Sequence, residues 1–108
     1  MRLLMRNMRD KELYIMLVGN KGGSTRIRIL DEIIFLPKNA NQLSKKLNLD
    51  YKTIRYHMEI ICKHNYATKE SFGKYVYYHP SDKLIKNMDE YNIIKEHIKM
   101  SKEEKNEK

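Results

Sequence analysis

Lys52, Thr53, Arg55, Tyr56 and His57 stand within six consecutive positions, and their spacing decides what they can do together. If the segment is helical with Ile54, Met58 and Ile61 pointing inward, Lys52, Tyr56 and Lys63 turn outward, with Thr53 and Arg55 on the two shoulders. His57 falls near the apolar side, where a histidine either packs or reaches a phosphate. The first half of such a helix is a donor-rich face. A guanidinium pairs bidentately with guanine, an ammonium reaches guanine or phosphate, and hydroxyls add hydrogen bonds or touch a thymine methyl. The competing reading is a row of solvated polar side chains, so the surroundings have to decide.

Downstream, Lys74 follows Gly73 at the tip of a predicted hairpin, and Lys69 lies on its first strand. Both suit contact with backbone phosphate or the minor groove. Arg26 and Arg28 are further phosphate candidates, or partners for Asp31 and Glu32. The 108-residue chain carries a formal net charge of +8, and residues 1–79 hold 15 of its 22 basic and 7 of its 14 acidic side chains. Residues 80–108 hold seven of each. A surplus confined to one region points to a polyanion-binding face more than to general solubility.

Other chemistries fit less well. Gly19-Asn20-Lys21-Gly22-Gly23-Ser24-Thr25 imitates a phosphate loop, but such a loop needs Gly-Lys directly before Ser/Thr, and Lys21 precedes two glycines. No catalytic residue is assigned and no enzyme activity is expected. Cys62 and His64, two apart on a helix, point to different sides, so no local metal site and no cofactor are expected. A metal- or redox-responsive regulator using Cys62 remains as an alternative, as does a protein-interaction module that reads no DNA. RNA binding lacks an aromatic-rich sheet pattern. A single cysteine excludes an intramolecular disulfide. No signal-like leader and no apolar run long enough to cross a bilayer is read, so a soluble, cytoplasmic chain is expected.

The elements that must hold these residues can be read from periodicity and punctuation. Leu13, Met16 and Leu17 mark a first helix from Asp10 to Val18, with Leu3, Leu4, Met5 and Met8 extending an apolar surface. Ser24 is read as the cap of a second helix carrying Ile27, Leu30, Ile33, Ile34 and Leu36, which Pro37 stops. Asn39 and Gln42 form a capping-box pattern for a short helix with Leu43 and Leu47. After a turn at Asn48-Leu49-Asp50, Asp50 caps a helix from Tyr51 to about His64, and Asn65 takes the left-handed position that ends it. Tyr66–Ser71 and Tyr75–His79 flank the Phe72-Gly73-Lys74 turn. A last helix, about 81–100, carries Leu84, Met88, Tyr91, Ile94 and Ile98 on one side, and residues 101–108 read as a charged tail.

A short helix, a turn, a longer helix and a two-stranded hairpin follow one another in the order of a winged helix-turn-helix. The stretch from Asn39 to Met58, most specifically Asp50-Tyr51-Lys52-Thr53-Ile54-Arg55-Tyr56-His57, resembles the reader unit of archaeal ArsR-like winged-helix regulators. Lys63-His64-Asn65-Tyr66-Ala67 and Ser71-Phe72-Gly73-Lys74-Tyr75-Val76 continue the likeness, which covers roughly residues 10–80. It implies transcription regulation by a dimer on a short pseudo-palindrome. Metal-sensing members carry paired cysteines on the helix before the reader, whereas Gln42 to Leu47 carries none; Asn65 stands where glycine is usual.

The expected fold is therefore mainly α with a small β-hairpin (α+β), a single winged helix-turn-helix domain with dimerising N- and C-terminal helices. Its reader unit spans about 39–65 and its wing about 66–79. The expected partner is double-stranded DNA, contacted by Lys52, Thr53, Arg55, Tyr56, His57, Lys69 and Lys74. Ile85, Ile93 and Met100 fall outside the last helix's main stripe and call for a second subunit to cover them.

Overall fold

The computed structural model describes residues 8–19 and 21–106, so the expected contribution of Leu3, Leu4 and Met5 lies outside the described residues. Asp10 caps α1 (Lys11–Tyr14), its carboxylate accepting from the Leu13 amide at 3.1 Å. Glu90, a buried carboxylate from the far end of the chain, accepts from the Arg9 and Asp10 amides, both at 2.9 Å. Beyond Tyr14 the expected helix changes type and becomes a π-helical turn, Ile15–Gly19.

The second helix, α2 (Gly23–Phe35), starts earlier than expected. Gly22, not Ser24, is its N-cap, in a left-handed conformation at φ +91° that a side chain rarely adopts. Its large apolar residues Ile29, Leu30 and Ile33 are buried, whereas Leu36 is exposed. Pro37 explains the difference: Leu36 already has extended geometry, so it cannot continue the helical stripe.

Lys38–Asn39 then forms a strand, β1, which the sequence reading did not contain. Asn39 at once caps α3 (Ala40–Leu47). Its side chain accepts from the Gln42 amide at 2.8 Å, and the Gln42 side chain accepts from the Asn39 amide at 2.9 Å. Replacing Asn39 by alanine removes the first bond and is expected to cost about 1 kcal/mol in urea unfolding. An unchanged midpoint would show that the box contributes nothing.

Asn48 closes α3 at φ 55°, and α4 (Tyr51–Lys63) follows. Asp50 holds the N-cap position of α4, but its side chain makes no capping hydrogen bond. Asn65, at φ 66°, ends this helix as expected. The hairpin pairs β2 (Ala67–Phe72) with β3 (Tyr75–Pro80) around Gly73-Lys74, with Gly73 at φ 62°. β1 adds to the other side of β3, through Lys38↔Tyr78 and Asn39↔Tyr77, giving an antiparallel sheet of order β1-β3-β2.

The last helix is broken in two, α5 (Asp82–Lys86) and α6 (Met88–Asn106). The break falls at Asn87, whose amide side chain donates to the Lys83 carbonyl at 2.9 Å and to Asp10 at 3.4 Å, competing with the helical ladder. Residues 101–106, expected as a tail, continue α6. Leu84, Tyr91 and Ile94 join one core with Leu43, Ile54, Met58, Ile61, Tyr66 and Tyr78. Tyr91 locks α6 to α2 by donating its hydroxyl to Asp31 at 2.7 Å. No helix among the described residues is long and apolar enough to cross a membrane.

Candidate nucleic-acid interface

Packing Ile54, Met58 and Ile61 inward leaves the opposite side of α4 in solvent. Lys52, Arg55 and Tyr56 are exposed, Tyr56 by 60%, and Thr53 is half-buried on one shoulder. Arg55 does not project freely. Its Nη1 donates to the Tyr51 hydroxyl at 3.2 Å, one helical turn back, and its guanidinium lies 5.9 Å from the centre of the Tyr51 ring. A planar cation held this way has lost part of the rotamer freedom that a ligand would otherwise have to remove.

The hairpin brings a second cation to the same place. A cavity of about 340 Å³ is lined by Asn39 and Asn41 from the start of α3, Tyr51 and Arg55 from α4, and Lys74 and Tyr75 from the hairpin. Lys74 Nζ sits 5.5 Å over the Tyr75 ring. The sequence reading did not single out Asn41, Tyr51 or Tyr75; the four-residue interval from Tyr51 to Arg55 was the available signal for one of them.

By sequence, the chain matches no protein-family model and no curated protein. By structure, it is similar to HlyU, a transcriptional regulator from Vibrio vulnificus, with a TM-score of 0.62 at 18% identity over 93% of this chain and 98% of that one. Reduced HlyU from Vibrio cholerae gives 0.61 at 17% identity, covering 82% and 90%. A homodimeric winged helix-turn-helix DNA-binding domain from Mycobacterium bovis, of a possible ArsR-family transcriptional regulator, gives 0.59 at 12% identity, covering 85% and 78%. The fold is a winged helix.

Of the seven proposed contact residues, Arg55 on α4 and Lys74 on the wing line one cavity, while Lys52 and Tyr56 are exposed and Thr53 half-buried along the same helix. Lys69 is exposed on β2, in register with Tyr78 and close enough to act electrostatically on Cys62, so it flanks the later half of α4. His57 has to be withdrawn as a direct contact. It is only 7% exposed, because its ring turns under α4 toward α2, where Nδ1 lies 3.1 Å from Arg26 Nη1.

The pairing expected of Arg26 and Arg28 with Asp31 and Glu32 is corrected as well. Arg26 is buried, which removes it as a phosphate contact; Arg28 stays exposed and donates to the Leu47 carbonyl at 2.9 Å, securing the end of α3. Asp31 pairs with Lys95 and Glu32 with Lys38, not with either arginine. Cys62 is half-buried, and burial raises its pKa, favouring the thiol over the metal-binding, nucleophilic thiolate. Among the described residues no three metal-ligating side chains gather into a candidate site.

Proposed function

We propose that this chain is a sequence-specific, double-stranded DNA-binding transcriptional regulator of ArsR-like type, acting as a homodimer in the cytoplasm. Its α4 enters the major groove and its wing rests on the backbone or in the minor groove. The observation that carries this reading is the cavity that Tyr51 and Arg55 of α4 line together with the wing cation Lys74. Lys52 and Arg55 supply base-edge or phosphate donors, Tyr56 and Thr53 hydroxyl and methyl contacts, and Lys69 and Lys74 phosphate contacts.

A second copy is the proposed cover for the terminal helices. Ile93 and Met100, seven residues apart on α6, share a face and are exposed, as are Ile85 on α5 and Ile15 on the π turn. Residues 80–108 carry balanced charge, so two copies of this segment can approach without the repulsion that the basic face would suffer.

Titration of a random duplex across salt concentrations tests the reading. Four cations per protomer on phosphate would give a slope of about −3.6 in log affinity against log salt for each protomer bound, and about twice that for the dimer. A protein-interaction module would bind the duplex weakly and without that slope. Micromolar zinc, cadmium or arsenite is expected to leave the DNA complex intact in a gel-shift assay. Release that disappears in Cys62→Ser would instead establish a metal- or redox-responsive site.

A further inference from the structure

Arg26 and His57 form a buried contact that the proposed DNA surface leaves unused. Arg26 is 1% exposed, yet no carboxylate among the described residues forms an ion pair with it. Its Nε donates to the Met16 carbonyl of the π turn at 3.0 Å, and its Nη2 donates to the Lys21 carbonyl of the glycine loop at 3.3 Å. The remaining nitrogen, Nη1, meets His57 Nδ1 at 3.1 Å. A guanidinium only donates, so Nδ1 is the acceptor and the ring is neutral with its proton on Nε2. One side chain on α2 thus ties the N-terminal turn, the glycine loop and the reader helix together. The fit is close: a Cβ on Gly22 would stand 2.8 Å from His57 Cε1.

We propose that Arg26 and His57 are positioning residues for DNA reading, the neutral His57 ring holding α4 in register against the N-terminal turn and proton uptake by that ring releasing it. This rests on the DNA-binding function proposed above. A protonated ring presents a donor at Nδ1, so the bond to Arg26 is lost and two cations face each other in a buried setting. Among the described residues no carboxylate acts on the ring to offset this. Arg26 faces it from α2, the glycine loop contributes the backbone of Gly22, and on α4 itself Tyr56 lies edge-on with ring centres 5.1 Å apart. Arg26 is the charged group resolved as acting on His57 among the described residues.

Burial first, and Arg26 second, hold the pKa of His57 below its ordinary 6.5. The docked helix therefore favours the neutral ring. Its advantage is intact above about pH 6.5 and is lost as the pH falls toward the lowered value. A histidine touching DNA phosphate would behave in the opposite way, binding more tightly as it gained charge.

The test uses the full chain, a selected duplex and its scrambled counterpart, at fixed ionic strength from pH 7.5 to 5.5. The ratio of the two affinities should fall severalfold for the wild type across this range, because proton uptake by the ring favours the released helix over the docked one. His57→Asn retains an acceptor near Nδ1 but cannot titrate, and should give a flat ratio. His57→Leu should give a low ratio throughout. A ratio that rises on acidification, or His57→Asn tracking the wild type, would overturn the proposal. Nitrogen chemical shifts of the His57 ring in the free protein provide an arm independent of DNA. An Nε2–H tautomer titrating below 6.5 is expected; an Nδ1–H tautomer, or titration at or above 6.5, overturns the pair whatever the DNA result. Absence of specific binding at every pH, with the expected ring state, would overturn the DNA-reading function itself and this role with it.

Discussion

Replacing Gly23 by alanine is expected to cost about 3 kcal/mol or more of folding stability, at the upper end of what overpacking does. A Cβ built on Gly23 would stand 2.0 Å from the carbonyl oxygen of Leu17 and 2.5 Å from its carbonyl carbon. Both are main-chain atoms of the π turn, so no rotamer change can clear them. Either α2 or the π turn must move, and both line the core through Leu17 and Ile29. Gly22→Ala provides the comparison, since its Cβ meets the end of a His57 side chain and the left-handed φ of +91° adds roughly 1 kcal/mol. Urea unfolding should rank Gly23→Ala well below Gly22→Ala and wild type. Equal stabilities would mean that the approach of α2 to the π turn is looser than described.

The second large effect is expected from charging the face that the proposed partner subunit covers. Ile93 and Met100 are 48% and 58% exposed, whereas Tyr91 and Ile94 beside them are fully buried. Introducing Ile93→Glu with Met100→Glu therefore adds charge where a single subunit tolerates it and a dimer does not. Light scattering should show a dimer for the wild type and a monomer for the double variant, with little change in melting temperature. Operator affinity should fall about a hundredfold, because the second reader helix loses the effective concentration that the dimer provides. A wild-type monomer that binds a two-fold operator as a single copy would contradict the dimer and leave the fold intact.

What could be read in the sequence was local. The Asn39/Gln42 box, the left-handed Asn65, the stop at Pro37 and the stripe of Ile54, Met58 and Ile61 each depend on residues within a turn or two, and all are present. What escaped depends on distant partners. β1 is two residues long and exists only because β3 pairs with it. Asn87 breaks the last helix with help from Asp10, 77 residues away. Ser24 looked like a cap, but Gly22 holds that position in a left-handed conformation, and Gly23 beside it passes too close to the Leu17 carbonyl for any side chain. His57 was placed correctly near the apolar side, yet its neighbour Arg26 stands 31 residues away, and a sequence does not show that the two meet. In the candidate interface, the α4 face followed from helical spacing. Its junction with the wing followed only from the tertiary fold, which brings Asn41, Tyr51 and Arg55 against Lys74 and Tyr75.

Equilibrium titration of a selected operator and its scrambled counterpart with wild type, Arg55→Ala and Lys74→Ala separates reading from charge most directly. Arg55→Ala should weaken the operator by about 1–3 kcal/mol and relax the choice at one base step, because it removes a preset donor pair from the reader helix. Lys74→Ala should weaken both duplexes alike and flatten the salt slope by about 1, the loss of one phosphate contact. If both variants kept wild-type affinity and salt dependence on the operator, the surface formed by α4 and the wing would not be where this protein meets DNA.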